Sequence, residues 1–310
     1  MTTPTVFRNA RAILGESLIA DAAAGTPAML WCDITAGLIH RSPIDGASDG
    51  GDDTVVALEA PVASFHLARI GEDDSGFVVS LGDRVVLADR RGRVLSELAR
   101  IDHRHPGMRL NEGKVDPFGR WVTGSMDLTA GNPDGAFYSI APDGSQRVLR
   151  GGFGTANGLE FSRDGGRIWF TDTSVQTIYT GTYGADGEIA DVETFHSGEM
   201  HDGLALDDDG CLWSAVYGGG VVVRYDPSGA ELERFAFPAP NLTSLAFGGG
   251  SSRTLYVASA RENLTEQQLR EHPLSGAVFA LETGTTGTAA PVFDAGSETP
   301  RVELVETSRA

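Results

Sequence analysis

Short apolar runs, each broken by a turn rich in Asp or Gly, recur along the whole chain. No stretch keeps an i, i+3, i+4, i+7 apolar pattern over three turns, so the pattern predicts strands and few helices. One helix is expected in "ENLTEQQLREHP", residues 262–273, with Asn263 or Thr265 as its cap and Pro273 as its stop. Five segments share a layout of apolar strand, turn and second apolar strand, often with an aromatic residue. They are "SLIADAAAGTPAMLWCDI", "GKVDPFGRWVTGS", "GLEFSRDGGRIWFTD", "GLALDDDGCLWSAV" and "SLAFGGGSSRTLYVAS". A sixth, "EDDSGFVVSL", keeps the turn and the second strand. The second strands align on Leu30, Val78, Val122, Trp169, Trp213 and Tyr256, 43 to 48 residues apart. Further strand-and-turn units such as "AFYSIAPDGS" and "VVVRYDPSGA" follow within each repeat.

A period of this length with about four strands per unit is the mark of a β-propeller. Six copies predict an all-β, six-bladed β-propeller around a central channel. No linker divides the chain, so residues 1–310 are expected to form one domain. The stretch "TPTVFRNA" and the tail "APVFDAG" are expected to complete a blade from both chain ends.

In such a fold the first strand of each blade lines the channel, so equivalent positions converge in space. The residue just before that strand is Glu16, Asn157, Asp202 or Thr243, and in "LNEGKV" either Asn111 or Glu112. Counting back from Val115 favours Asn111. Carboxylates and amides brought together from different blades are oxygen ligands, suited to a hard divalent cation such as Ca, Mg or Mn, with Zn and Fe also acceptable. Without a metal, Glu16 and Asp202 would repel each other. The competing explanation is that Asn-Gly and Asp-Gly here are only tight turns.

The composition narrows the options. The net charge of −19 disfavours nucleic acid and anionic membranes as partners. No apolar run is long enough for a spanning helix, and the start has no signal-like h-region, so a cytoplasmic protein is expected. Cys32 and Cys211 both fall in expected strands and are read as reduced and buried. Neither a G-x-S-x-G elbow nor a GxxxxGK[ST] loop is present, which argues against a serine esterase and a P-loop nucleotide site.

At the channel residues the sequence resembles the senescence-marker-protein/gluconolactonase family, which includes regucalcin-like lactonases. "LGE" with "MLWCDITAGLIHR" is similar to its opening glutamate motif, and "MRLNEGKVDPFGRWVTGSM" to its most diagnostic segment. "ANGLEFSRDGGRIWFTDT" resembles the asparagine motif, "HDGLALDDDGCLWSAVYGGGVVVRYDP" the aspartate motif and "LTSLAFGGGSSRTLYVASAR" the last blade. The resemblance implies a six-bladed propeller with one catalytic divalent metal. Its ligands fall on Glu16, Asn157 and Asp202, and its substrate-contacting arginine and asparagine on Arg109 and Asn111. The implied activity is metal-dependent hydrolysis of a sugar lactone to the aldonic acid, with a small-molecule sugar lactone as the partner. Three departures bear on which lactone fits. Ser17, Leu18 and Ile19 replace the usual residues after the glutamate, Glu112 stands where Asp is usual, and Asp127 is the only acid near the family's sugar-contacting position.

Asp202 is the candidate general base as well as a ligand. Arg109 suits oxygen pairs and Asn111 can both donate and accept. His201 is expected to point away from Asp202, as alternation along a strand requires. His103 and His105 in "DHRHPG" would rim the mouth or face solvent. Lys114 is assigned an acidic neighbour and a structural role, and Asp33 and Asp172, at the ends of equivalent second strands, a repeated structural role. Asp207, Asp208 and Asp209 are read as a solvated turn. Two alternatives remain: a related propeller hydrolase of other esters or phosphoesters, and a non-catalytic metal- or protein-binding propeller. The latter would not need Arg109 and Asn111 beside three ligands.

Overall fold

The apolar runs pair as antiparallel hairpins and assemble into six sheets. The computed structural model describes residues 2–21, 25–45, 50–71, 74–129, 132–248, 253–288 and 291–296. The turns expected in "EDDSG" and "FGGGSSR" fall largely outside these residues. Blades one, three, four and five each have four consecutive strands, innermost first; blade two gains a fifth strand from the tail, and blade six takes its outer strand from the beginning of the chain. The innermost strands of blades one to six are Gly15–Asp21, Val62–Ile70, Met108–Val115, Ala156–Phe161, His201–Leu206 and Leu242–Phe247.

The reason for a propeller lies in the second strands. Successive residues of a strand face opposite sides, and here both sides are apolar, so each sheet must be covered by a neighbour on each face. Six core clusters result, each formed between adjacent blades. The six aligned residues fall one in each. Leu30 packs with Phe65 and Val79, Val78 with Leu110 and Trp121, and Val122 with Phe161 and Phe170. Trp169 packs with Leu204 and Val223, Trp213 with Leu245 and Val257, and Tyr256 with Met29 and Trp31.

The hairpin turns share one device. Asp89, Asp116, Asp207 and Asp226 each accept, through Oδ1, backbone N–H groups two and four residues on. This satisfies turn donors without a partner strand. Asp207 corrects the expectation of a wholly solvated turn. It is 1% exposed, and its Oδ2 accepts from Trp213 Nε1 and Arg224 Nε, both at 2.9 Å. Only Asp208 and Asp209 lie at the surface.

Closure also departs from expectation. Thr5–Arg8 pairs antiparallel with Val278–Glu282 and becomes the outer strand of blade six, so one chain end completes that blade. The tail goes elsewhere. Thr288 N–H donates to Leu206 O (3.1 Å), and Phe293–Asp294 then pairs in parallel with Val62–Ile70 at Ala68 and Arg69 of blade two. Phe293 is the reason: it is fully buried in the cluster between blades two and three.

The expected helix is shorter than its pattern, spanning Glu266–Glu271 with Thr265 as cap and a reciprocal bond to Gln268. No helix of the described residues is long and apolar enough to cross a membrane. Cys32 and Cys211 are buried and free, with Cys211 just ahead of its strand.

Candidate functional site in the channel

In all six blades the pairing of the first and second strands slips at the channel mouth. Register shifts lie between Glu16 and Ile19, Val62 and Ser64, Leu110 and Gly113, Asn157 and Leu159, His201 and Leu204, and Leu242 and Leu245. Such bulges bend a strand and re-aim its side chains. The residues opening them form a ring of equivalent positions: Glu16, Ala63, Asn111, Asn157, Asp202 and Thr243. The ring therefore takes Asn111 rather than Glu112. It also shows that Asn157-Gly158 and Asp202-Gly203 lie within strands, not in tight turns. Gly158 has φ +37°, and a Cβ there would stand 2.1 Å from the Asp202 carbonyl oxygen. Glycine is required because neighbouring inner strands converge on the axis.

Not every ring position offers a free polar group. Ala63 has none. The Thr243 hydroxyl donates to the Gly15 carbonyl and ties blade six to blade one beside Glu16. Asn111 accepts from Arg109 Nη1 (2.6 Å) and donates to Ala156 O (3.2 Å). Arg109 Nη1 also donates to Leu110 O at 2.8 Å. The Asn157 amide nitrogen donates to Thr173 Oγ1 (3.3 Å), which in turn donates to His201 O (2.6 Å), leaving the Asn157 carbonyl oxygen for the channel.

The carboxylates are under electrostatic stress. Burial pushes Glu16 up to about 8, and nearby Glu112 adds repulsion. Burial, then Glu16 and Glu112, holds Asp202 well above the usual carboxylate range. Its Oδ1 has no hydrogen-bond partner among the described residues. Glu112, pushed by burial to about 7, is a third channel carboxyl. The sequence pattern does not single it out, because one step of register separates it from Asn111. Burial also lowers Arg109, which faces Glu262, Glu16 and Asp202. Two buried carboxylates beside an amide oxygen, one with an unsatisfied oxygen, suit a divalent cation of the hard, oxygen-seeking kind.

These shifts have a sign. A carboxyl whose folded pKa is raised stabilises the fold fully below its unfolded pKa, and that stability is lost as pH rises through the folded pKa. For Glu16 the window runs from its ordinary 4.5 to about 8. Melting of metal-free protein is therefore expected to fall between pH 5 and 8. At about 1.4 kcal/mol per pKa unit, and allowing for shared repulsion, the loss is on the order of 3 kcal/mol. That corresponds to roughly 3–6 °C in Tm for a chain of this length. Glu16→Gln should flatten the slope; an equally steep slope in that variant would mean that Glu16 carries no such stress.

Other residues have different partners. His201 is buried, bonds Ser214 Oγ through Nδ1 (3.0 Å) and packs on His196 and Tyr225. Lys114 pairs with Glu160 at 2.7 Å. Asp33 binds the N–H groups of Ile13 and Leu14, and Asp172 those of Gly154 and Thr155, a shared clamp on the segment entering the inner strand. Asp127 holds Thr129 and Asn132. His105, Asp127 and Asp134 bring ligand atoms within 4.8 Å of one another. However, His105 Nδ1 accepts from Gly107 N–H (3.2 Å), so only Nε2 faces the carboxylates, at 3.7 Å from Asp127 and 3.9 Å from Asp134. This arrangement suits a hydrogen-bonded loop better than a metal.

A six-bladed propeller with buried carboxylates, amide oxygens and an arginine at one channel mouth defines the class of this protein. Residues 14–261 match the SMP-30/Gluconolactonase/LRE-like region, and the chain belongs to that family. It is 34% identical over 272 residues to 6-deoxy-6-sulfogluconolactonase of Pseudomonas putida, covering 86% of this chain and 90% of that one. It is also 34% identical to L-arabinolactonase of Azospirillum brasilense, covering 87% and 91%. Among solved structures it is similar to regucalcin of Agrobacterium tumefaciens, described as a calcium-binding protein. The TM-score is 0.85 at 28% identity, covering 94% of this chain and 97% of the other.

Proposed function

We propose that this protein hydrolyses a sugar lactone to its aldonic acid, using one divalent metal ion held by Glu16, Asn157 and Asp202. The observation that carries this reading is the stressed pair of buried carboxylates beside an amide oxygen, with Arg109 and Asn111 at the same mouth. The lactonase names of the relatives support the substrate class. The calcium-binding character of the Agrobacterium tumefaciens regucalcin supports a divalent ion.

A metal held by Glu16, Asn157 and Asp202 would supply polarisation of the lactone carbonyl and a lowered pKa for water at the site. The chain's own residues do the rest. Arg109 and Asn111 bind the sugar hydroxyls and hold the ring over the channel. Asp202 takes a proton from the attacking water at Oδ1, where it has no competing donor. Water oxygen bonds to the carbonyl carbon, the ring C–O bond breaks, and the proton taken up by Asp202 passes to the departing ring oxygen.

The test is proton release from a panel of aldonolactones, with and without chelator, alongside metal analysis of purified protein. Chelation is expected to reduce turnover at least a hundredfold, restored by one or more of Ca, Mg, Mn, Zn or Fe. Glu16→Gln is expected to lose bound metal. Full activity in chelator would overturn the metal role, and no turnover of any lactone with any metal would overturn the lactonase reading.

A further inference from the structure

The helix-bearing stretch "ENLTEQQLREHP" is one to which the channel chemistry gives no role. It lies in the connection between Thr254–Ser259 and Val278–Glu282, the second and third strands of blade six. The bulged ends of the inner strands lie at the channel mouth and the second strands pair with them antiparallel, so this connection lies on the mouth face. We propose that its first residues close the blade-six side of the site, and that Tyr217, which they hold in place, donates a hydrogen bond from its hydroxyl to a hydroxyl group of the lactone. The inference rests on the lactone reading above and deepens it, because it adds a specificity-determining residue on the side of the mouth that faces Arg109 and Asn111.

Three observations carry it. The first is place. The N–H groups of Arg261 and Glu262 donate to Ile13 O at 3.0 and 2.8 Å, and Asn241 Nδ2 donates to Glu262 O at 2.9 Å. Ile13 and Asn241 stand just ahead of Glu16 and Thr243, in the segments entering blades one and six. Tyr217 follows the second strand of blade five, and its N–H donates to the carbonyl of Met200, close before Asp202 (2.9 Å). Its hydroxyl accepts from Asn263 Nδ2 at 2.9 Å, so the ring reaches from blade five to blade six. The inner strands meet in chain order and the sixth meets the first. Blade six therefore stands opposite blade three, which carries Arg109 and Asn111.

The second is what blade six itself lacks. The hydroxyl of its ring residue, Thr243, is committed to Gly15 O. A polar group facing the substrate from that side has to come from the loops above the ring. Tyr217 is half-buried there, and its bond to Asn263 is exposed at the mouth.

The third is the state of the hydroxyl. Asn263 occupies one lone pair, but the proton is loosely held, since Glu262 O stands at 3.4 Å, beyond the usual range for an O–H donor. When that proton turns to a substrate oxygen, Glu262 O keeps Asn241 and is not left unpaired. Burial, with Asp202, Glu262 and Glu16 nearby, pushes the phenol up to about 12 against the Asn263 bond, so the hydroxyl keeps its proton at neutral pH. Asn263 is left-handed at φ +63°, a conformation that asparagine adopts more readily than most residues.

The experiment uses the lactone that wild type turns over fastest, together with the monodeoxy analogues of that lactone. Tyr217→Phe keeps the ring and removes the hydroxyl. It is expected to raise KM about five- to tenfold, the worth of one hydrogen bond, with kcat and metal affinity close to wild type. On the monodeoxy analogue that lacks the hydroxyl read by Tyr217, wild type and variant should share one KM. Asn263→Gly suits the left-handed backbone and removes the amide that orients the phenol. It is expected to raise KM in the same direction by about two- to threefold, and it does not depend on how Tyr217→Phe folds. An unchanged KM in both variants, with or without a loss of kcat or metal affinity, would make Tyr217 a structural tie between blades and overturn the proposal. A KM change of equal size on every monodeoxy analogue would overturn it too, because no single hydroxyl would then be read. If wild type turns over no lactone at all, the lactonase reading fails and this inference with it, an outcome visible before any variant is made.

Discussion

Replacing Asp202 with alanine is expected to lower kcat for lactone hydrolysis by three orders of magnitude or more while leaving the metal-free fold as stable as before, or more so. The two effects have one cause. Asp202 is 4% exposed, its Oδ1 is unsatisfied, and it stands near a second buried carboxylate. A buried carboxylate with one unsatisfied oxygen beside others of the same sign is a cost to folding, so its removal relieves the metal-free protein. The same features leave an oxygen free for the metal and the water, and a positioned base contributes roughly 10²–10⁴ in rate. Asp202→Asn separates the roles. The amide keeps an oxygen for the metal but cannot take a proton, so metal should stay bound while kcat falls by about 10²–10⁴. Metal analysis, kcat and melting curves on both variants check this. Wild-type kcat in Asp202→Asn would remove Asp202 as the base, and a lower metal-free Tm in Asp202→Ala would remove the stress argument.

Much of the architecture was legible because a propeller repeats its physics. The same apolar demand on both faces of each second strand put Leu30, Val78, Val122, Trp169, Trp213 and Tyr256 at even spacing, and each now occupies a different inter-blade cluster. The ring of Glu16, Asn111, Asn157 and Asp202 was legible for the same reason. What could not be read depends on contacts between distant segments. Ala63 breaks the polar ring without any local signal. Asp207 looked like its solvated neighbours, because its burial comes from Trp213 and Arg224 on the next two strands. The tail seeks blade two because Phe293 fits a hydrophobic site there, and no pattern within seven residues encodes that. Glu112 was obscured by the bulge, since a strand that slips by one residue changes which side chains reach the channel.

The glycine after Asn157 presents the sharpest case of this kind, and its replacement by alanine is expected to disrupt the protein rather than trim it. In a tight turn Gly→Ala would cost about 1–2 kcal/mol for the left-handed backbone alone. Gly119, with φ +85° and open space around it, is such a position. At Gly158 the added Cβ would meet Asp202 O at 2.1 Å, Thr171 Cγ2 at 2.8 Å and Leu204 Cγ at 2.9 Å. The first of these is backbone of the neighbouring inner strand and cannot swing aside as a side chain would. Relief requires blades four and five to separate where Asn157 and Asp202 face each other. Overpacking of this kind adds about 1–3 kcal/mol or more to the backbone cost, and the total places Gly158→Ala among exceptional substitutions. A Tm about 2–5 °C or more below that of Gly119→Ala is expected, together with weaker metal binding, because the separation displaces Asp202. Thermal melts and metal titrations of the two variants side by side isolate the close approach from the backbone conformation they share. Equal melting would mean that the inner strands do not converge as tightly as this, and the ring of site residues would have to be drawn wider.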